Sequence, residues 1–414
     1  MLLAFLPPPP QPLAPPVLSI VVMTVDTTPG DSVRVILERD FTNGDRLTVV
    51  VVDSASRAAL LPVPDSAPDT TELARDNLTF ALRVARTAHG YRVGLYNVAR
   101  HRFTHAFTFP VATDSAGFPT RWRLHQIADE VERWITGTRG IAATRIAYVY
   151  ENKIHVMDSD GANDREFTTQ GVALSPAWHP HGTALLYSDL MDAGTQIGRI
   201  DLATGKVRLF SLTPRGLNIT PVFTPRGDSI VYATASSRGS RLVIASATGH
   251  GHVHLFRTRM PINLRDMAEP TFSPDGKSVA FVSSRPLYPQ IYTMRVNGHH
   301  IQRLVPYTPG LRNERTAPDW SPDGKTIVYQ QQNHKFQIWI AQLHDGVATT
   351  TTRLTTDAEN RDPSWAPDGR HLVLTSTRGG DQELWILDVI SGQWRQLTNS
   401  AGARLAAWSP RLKQ

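Results

Sequence analysis

Three alternating histidines are the first candidates for chemistry in this sequence. His250, His252 and His254 occupy every second position, so a β-strand would project all three side chains to one side. Imidazole nitrogens grouped in this way can bind a transition metal. The sequence offers no carboxylate partner close by, and solvated histidines on a strand are the commoner alternative. We therefore predict no bound metal here.

Short motifs typical of enzymes are also missing. No Gly-x-Ser-x-Gly pentapeptide, which carries the nucleophilic serine of many hydrolases, occurs in the chain. Gly205 and Lys206 lack the upstream glycine of a phosphate-binding loop. Residues 158–161 (Asp-Ser-Asp-Gly) predict a β-turn, because the other ligands of a calcium loop are missing. The sequence therefore predicts a protein with neither catalytic activity nor a cofactor.

Charge and composition narrow the partners further. The formal net charge is +6, which raises the question of nucleic-acid binding. Lys and Arg are spread singly along the chain, with no basic run and no aromatic platform for bases, so we predict no nucleic-acid partner. The chain contains no cysteine, which excludes disulfides and thiolate metal sites.

A repeated motif dominates the second half of the chain. A short strand ends in Pro-x-aromatic and is followed by a tight turn that contains Pro and Gly, as in residues 317–329. Successive aromatic positions are 43 to 49 residues apart: Trp178, Phe223, Phe272, Trp320, Trp365 and Trp408. Strand-rich units of this period are typical of propeller blades with four strands each.

The ends of the repeat determine the number of blades. The last copy, around Trp408, has its first strand but no second strand. Residues 145–150, 154–158 and 166–170 fit the second, third and fourth strands that it lacks. Five internal blades and one blade shared between the two ends make six. This closure removes the exposed sheet edge of an open array.

The region before the repeats predicts a separate small α/β domain. We expect helices over residues 31–41 and 120–136, the second closed by Gly137, and strands over 17–25, 47–52, 78–87, 91–98 and 103–111. The predicted organisation is a two-domain protein: a proline-rich arm or remnant of an export segment (1–16), the α/β domain (17–137), a joint (138–144) and a six-bladed β-propeller (145–414).

The first residues do not read as a complete secretory signal. No Lys or Arg precedes Arg34, and prolines interrupt the apolar residues, whereas a signal has a basic start and an unbroken apolar core. The same prolines argue against a membrane-spanning helix. An extended or disordered arm is the simpler expectation.

The junction and the repeats together resemble the TolB family of the bacterial Tol-Pal system. The resemblance rests on residues 129–140 (Asp-Glu-Val to Thr-Arg-Gly), on 144–148, on five Pro-x-aromatic hairpins and on the truncated last copy, and it covers about residues 30–414. His181 and Arg226 replace the acidic residue of two turns, which the turn geometry tolerates.

The resemblance implies a non-catalytic, monomeric adaptor in the periplasm, peripheral to the membrane. It implies that the outer-membrane lipoprotein Pal docks at one propeller mouth, that the N-terminal segment engages the inner-membrane protein TolA, and that the system supports envelope integrity and constriction at division. An alternative is a propeller that binds a small ligand or a metal in its channel, or an accessory propeller related to those of peptidases but without a catalytic domain.

The docking surface can be placed on the repeat. If the first strand of each blade lines the channel and the turn caps one face, the residues just before Pro-x-aromatic lie at the opposite mouth. Such a ring suits a docking surface with a polar rim, although it could also merely line a water-filled tunnel. Its predicted members are Leu174, Ser175, Asn218, Thr220, Ala268, Glu269, Thr316, Arg361, Asp362 and Arg404.

Overall fold

The chain forms two compact units, residues Met1–Arg139 and Gly140–Gln414. The computed structural model describes residues 18–25, 30–52, 78–110, 121–168, 171–192, 194–210, 217–236, 239–249, 252–256, 266–284, 288–306 and 313–412. The division falls inside the joint predicted at 138–144, and the predicted arm at 1–16 lies outside the described residues. Neither helix of the described residues has the length and apolar character needed to cross a membrane.

The small unit contains a five-stranded mixed sheet and two helices. The strands are β1 (Ser19–Val25), β2 (Thr48–Val49), β3 (Phe80–Thr87), β4 (Gly90–Asn97) and β5 (Arg102–Pro110), in the order β2-β1-β3-β4-β5. β1 pairs in parallel with β2 and β3, whereas β3, β4 and β5 form an antiparallel meander. Helices α1 (Gly30–Asn43) and α2 (Arg121–Thr136) contact each other. Gly137, at φ 79°, closes α2 as predicted.

The large unit is a six-bladed propeller with four antiparallel strands in every blade. The first strands of the blades are neighbours in a closed ring: β9 (Val172–Trp178), β13 (Leu217–Phe223), β17 (Met267–Phe272), β21 (Arg315–Trp320), β25 (Asn360–Trp365) and β29 (Arg404–Trp408). The second strands follow outward: β10 (Ala184–Met191), β14 (Ser229–Ser236), β18 (Ser278–Ser283), β22 (Thr326–Asn333), β26 (His371–Ser376) and β6 (Arg145–Tyr150).

The two outer layers complete the blades. The third strands are β11 (Gly194–Asp201), β15 (Gly239–Ser246), β19 (Gln290–Arg295), β23 (Lys335–His344), β27 (Glu383–Asp388) and β7 (Lys153–Asp158). The fourth strands are β12 (Val207–Phe210), β16 (His254–Leu255), β20 (Gln302–Arg303), β24 (Val347–Arg353), β28 (Trp394–Gln396) and β8 (Arg165–Glu166). The predicted fold class, a small α/β domain followed by a six-bladed propeller, is confirmed.

The two ends of the repeat region share the sixth blade. β29 pairs antiparallel with β6, with Trp408 opposite Ile146. The Trp408 Nε1–H donates to Thr144 Oγ1 at 2.8 Å, and Arg145 N donates to Ser409 Oγ at 2.9 Å. This is the closure that the truncated last repeat predicts, and it removes the free edge of the first strand.

The apolar core of the propeller lies between neighbouring blades. In one interface, Val328 and Ile338 of one blade pack with Trp365 and Leu372 of the next. Equivalent clusters occupy the other blade interfaces. Each fully buried aliphatic side chain contributes about 1.5–3 kcal/mol. Blade contacts therefore hold the ring together.

The repeated turn has the predicted geometry in all five complete copies. In the most regular copies, Asp323 Oδ1 accepts from Lys325 N at 3.0 Å, and Gly324 takes φ 73°. Where His181 replaces the acid, His179 Nδ1 accepts from His181 N at 3.1 Å. Gly182 still has φ 69° and Gly227, after Arg226, has φ 75°. The turn tolerates both replacements, as expected.

Candidate functional site: the propeller channel

Every first strand contains a β-bulge at the same place. In one blade, Thr316 pairs with Gln330 and Asp319 pairs with Val328, so two residues of β21 oppose one residue of β22. The first bulged residue always has a left-handed backbone, with φ between 49° and 53°. We call these six residues the bulge ring: Ser175, Thr220, Glu269, Ala317, Asp362 and Leu405. Five of the six residues precede proline, which has no N–H to donate to the neighbouring strand. The bulge interrupts the pairing at this position, so the proline costs the sheet no hydrogen bond.

The bulge ring lines one part of a cavity of about 560 Å³ that runs along the first strands. The wall also contains most of the Pro-x-aromatic residues, although Phe223 is not among them and Ala406 replaces the proline in the closing blade. Turn prolines such as Pro322 and Pro367 line it as well. The cavity is the central channel, with first strands on all sides. We call its end near the starts of these strands the bulge-side mouth and its other end the turn-side mouth.

Hydrogen bonds join the bulge ring to the preceding blade. The N–H groups of Thr220, Asp362 and Leu405 donate to Ser188 Oγ (3.0 Å), Gln330 Oε1 (2.8 Å) and Thr375 Oγ1 (3.2 Å). Each of these acceptors lies on a second strand, opposite the residue that precedes the bulge.

Two blades use a different acceptor because their second strand is apolar at that position. Ala233 and Val282 stand there and cannot accept a hydrogen bond. The acceptor is instead the side chain of the preceding bulge residue. Thr220 Oγ1 accepts from Glu269 N at 3.1 Å, and Glu269 Oε2 accepts from Ala317 N at 2.6 Å. Glu269 is thus a link in the ring of blades.

The closing blade has an apolar residue both at the second-strand position and at the bulge position, the two positions that supply acceptors in the other blades. Val149 lies opposite Arg404 on the second strand, and Leu405 is the bulge residue. Both belong to an apolar cluster with Ala173 and Trp178 of the next blade. Trp178 Nε1 donates to the carbonyl oxygen of Ala407 at 2.9 Å across the same boundary. Apolar packing replaces the side-chain acceptor where the two ends of the repeat meet.

Three carboxyl groups of the channel wall have raised pKa values. Burial raises the pKa of Glu269 to about 7 and the pKa values of Asp319 and Asp362 to about 6. The backbone N–H of Trp365, 2.7 Å from Asp319 Oδ2, partly offsets the shift of Asp319. The charges of Arg361 and Arg404 do the same for Asp362. Near neutral pH, the channel can therefore exchange protons with its surroundings.

The predicted docking residues fall into three groups. Ser175, Thr220, Glu269 and Asp362 line the channel. Each member of a second group stands immediately before a bulge residue and pairs with a second strand: Leu174, Ala268, Thr316, Arg361 and Arg404.

Asn218 does not fit the prediction. Its side chain is buried, and its Nδ2 donates to the carbonyl oxygen of Thr195 at 3.0 Å. It precedes the bulge by two residues and pairs with Thr234, so its side chain is directed into the blade interior rather than the rim. The prediction also missed Ala317, Leu405, Asp319 and Gln330, all of which line the channel. Aligning the copies on the residue three positions before the aromatic would have found Ala317 and Leu405.

Arg361 is the most exposed of the predicted rim residues. Its guanidinium carbon lies 4.4 Å from the ring centre of Phe336, and its Nη2 is 2.7 Å from Glu359. Arg404 Nη2 donates to Asn152 Oδ1 at 2.9 Å. Both arginines lie at the start of a first strand, at the bulge-side mouth. Neighbouring groups hold both guanidinium groups in place, so the rim presents positioned arginine side chains, one of them paired with a carboxylate.

The alternating histidines show no metal geometry in the described residues. His250 lies outside these residues. His252 and His254 are exposed, with ring centres 6.4 Å apart, and β16 begins only at His254.

Comparisons with known proteins agree with this architecture. A family model described as the TolB beta propeller domain matches residues 132–412. The Tol-Pal system protein TolB of Bordetella pertussis is 30% identical over 179 residues, which are 42% of this chain and 40% of that protein. The TolB proteins of Bordetella parapertussis and Bordetella bronchiseptica match equally well. The matched region thus spans less than half the length of these curated relatives.

Two solved structures extend the likeness in fold. TolB from Acinetobacter baumannii superimposes with a TM-score of 0.78 at 21% identity, over 96% of this chain and 97% of that chain. A putative TolB from Agrobacterium tumefaciens gives a TM-score of 0.51 at 21% identity, over 63% of this chain and 91% of that one. The family model covers well over half of the chain. This protein therefore belongs to the TolB β-propeller family.

Proposed function

We propose that this protein is a non-enzymatic periplasmic adaptor of a Tol-Pal system, with the bulge-side mouth of its propeller as the docking site for a Pal-like lipoprotein. The main support is the bulge ring, whose six residues occupy equivalent positions in the six first strands and surround the channel. Arg361 and Arg404 stand beside this ring as positioned rim charges. Polar rims around a concave centre are typical of protein interfaces.

The chemistry of the channel wall also favours an adaptor. The carboxylates of Glu269 and Asp319 accept backbone hydrogen bonds from the next blade, so they serve the architecture. Catalysis would need a nucleophile, base or electrophile converging on one reacting atom. Among the described wall residues we identify no such arrangement. A role for the N-terminal segment in binding a TolA-like protein, and a role in envelope constriction, rest on the family relationship alone.

Charge reversal at the two mouths tests the proposal. Arg361→Glu should weaken binding of the soluble domain of a Pal-like lipoprotein by about tenfold, because it replaces a rim cation by an anion. Arg226→Glu, an exposed reversal beside a turn at the other mouth, is the matched control and should bind normally. Isothermal titration calorimetry measures both. Equal affinities for the two variants would contradict docking at the bulge-side mouth.

A second candidate function is the binding of a small cationic ligand or a metal in the channel. The carboxyl groups of Glu269, Asp319 and Asp362 in one cavity favour it, since they could offer negative charge and oxygen ligands. Thermal stabilisation by a divalent cation, together with no binding of the Pal-like domain, would favour this alternative. Binding of the Pal-like domain in the absence of added cations would favour the adaptor.

A further inference from the structure

The sheet of the small unit ends in a long strand with one neighbour. β5 (Arg102–Pro110) is the last of the five strands, and within the described residues it pairs only with β4. Nine residues of strand at a sheet edge present a row of backbone acceptors and, except at Pro110, backbone donors. Such an edge is a template for the addition of another strand unless it is short, broken or covered.

Most of β5 is exposed. Phe109 is its only buried residue, whereas Phe107 is 55% exposed. Phe107 packs edge-on against Phe109, with ring centres 4.9 Å apart, and the ring of His105 stacks on Trp134 of α2 at 5.1 Å. These side chains form a half-covered aromatic shelf beside the edge. An added strand could bury more of it, because residues on adjacent strands pack side by side.

One irregularity limits the usable length of the edge. Leu95 pairs with His105 and Tyr96 pairs with Phe103, so Thr104 is an extra residue in β5. The bulge turns Phe103 to the opposite face, where its ring meets Tyr96 at 5.3 Å. The regular part of the edge therefore runs from residue 105 to residue 110.

The formal charge of the meander that contains this edge has one sign. Residues 78–110, which form the whole meander of β3, β4 and β5, contain five arginines, three histidines and no Asp or Glu. Arg92 on β4 and Arg100 and Arg102 at the β4–β5 turn are exposed. On α2, Glu130 is held by Arg133 and Arg139. The edge therefore carries a net positive field that attracts an acidic partner.

We propose that β5 is a second docking site of this protein, independent of the propeller channel, and that it binds an extended acidic segment of a partner protein as a sixth strand. Backbone hydrogen bonds along residues 105–110 would supply affinity, and Phe107 with its aromatic neighbours would receive an apolar side chain of the added strand. Arg100 and Arg102 would bind its carboxylates. Such a segment alternates acidic and apolar side chains and lacks basic ones.

An anionic membrane surface would also be attracted by arginine, but the geometry favours a strand. The aromatic rings lie along one edge and pack against Trp134, so they are held in the sheet rather than projecting from a flat surface. A row of backbone groups has no role at a lipid surface and is the main recognition element in strand addition.

The test uses the whole protein and a fluorescein-labelled, end-blocked peptide of five Glu-Val repeats. Fluorescence anisotropy should show binding, and two altered peptides should bind at least about tenfold more weakly: one with Lys in place of Glu, and one with every residue N-methylated. The N-methylated peptide keeps the charge but loses backbone donors. Amide hydrogen exchange should show slower exchange within residues 105–110 when the Glu-Val peptide is added.

Matched variants test the site itself. Arg100→Glu with Arg102→Glu should weaken binding about tenfold or more, and Arg241→Glu, an exposed reversal on the propeller strand β15, should not. No peptide binding up to ~1 mM, or equal binding of the N-methylated peptide, would overturn the proposal. Arginine-dependent binding to phosphatidylglycerol vesicles without peptide binding would overturn it in favour of a membrane surface. None of these outcomes depends on the channel or on a Pal-like protein.

Discussion

Glu269 Oε2 accepts a hydrogen bond from the backbone N–H of Ala317 in the next blade, across 2.6 Å. Glu269 thereby does for one blade boundary what Ser188, Gln330 and Thr375 do for three others. Unlike those residues it can ionise, and burial raises its pKa to about 7. The carboxyl group of Glu269 therefore both joins two blades and titrates near neutral pH.

Replacing Glu269 by glutamine should reduce the loss of stability with rising pH. An unfolded glutamate titrates near 4.5, whereas burial raises the folded-state value to about 7. Its stabilising contribution is therefore complete below about pH 4.5 and is lost as the pH rises through about 7. Between pH 4.5 and 7, the free energy of unfolding of Glu269→Gln should rise relative to that of the wild type by on the order of 1–3 kcal/mol. This range includes a reduction for screening by water in the channel.

Thermal unfolding of both proteins between pH 4.5 and 8 measures this difference. Glu151→Gln, a change at an exposed residue of the β6–β7 turn, is the control and should follow the wild type. A constant offset in Tm between Glu269→Gln and the wild type at every pH would show that Glu269 does not titrate in this window.

The closing blade should depend on the indole hydrogen bond of Trp408. Its Nε1–H donates to Thr144 Oγ1, whereas the indole N–H of Trp365, one blade earlier, has no hydrogen-bond partner among the residues that the structure describes. Trp408→Phe should therefore destabilise the propeller by about 1 kcal/mol more than Trp365→Phe, since only the former removes a hydrogen bond. Urea denaturation measures both. Equal losses would argue that the closure depends on packing alone.

The left-handed backbone of the bulge ring should make it sensitive to β-branched residues. Ala317 has φ 49°, a region that costs residues with a Cβ roughly 1–2 kcal/mol and is especially unfavourable for valine. Ala317→Val should lower the free energy of unfolding by about 1–2 kcal/mol, whereas Ala317→Asn should be nearly neutral because asparagine tolerates this conformation. If denaturant midpoints show that both variants are equally stable, the bulge is not a constraint on sequence.

The six-bladed architecture could be predicted because its determinants are local and repeated. Pro322 and Gly324 specify a turn by residue type alone, and five further copies set the period. The closure followed from a missing second strand after Trp408 and a surplus one at residues 145–150. Such features need no knowledge of what packs against them.

The bulge ring could not be predicted in the same way. Its members include Glu269, Ala317 and Leu405, which share no side-chain property, and Leu405 does not precede proline, so their common backbone conformation comes from the pairing with the neighbouring strand. Placing Asn218 on the rim was wrong because Ile219, not Asn218, is equivalent to Thr316 and Arg361, and consecutive residues of a strand face opposite sides. For five of the six bulge residues, the acceptor of the N–H is a side chain of the preceding blade, some 30 to 50 positions earlier in the chain.

The basic edge of the small unit was missed for a related reason. Arginines such as Arg92 and Arg102 are separated in sequence and give no basic run, but adjacent strands bring them onto one meander. Arginines that are far apart in the sequence can therefore lie close together on neighbouring strands, and a search for basic runs in the sequence does not find them.

Site-specific blocking of the two channel mouths is the most direct test of the docking function. The chain contains no cysteine, so Arg361→Cys and Lys277→Cys each provide a single attachment point, the first at the bulge-side mouth and the second in a turn. After labelling with maleimide-polyethylene glycol, the Arg361→Cys protein should lose affinity for the Pal-like domain by more than about tenfold, and the labelled Lys277→Cys protein should keep it. Normal binding by the labelled Arg361→Cys protein would contradict docking at this mouth.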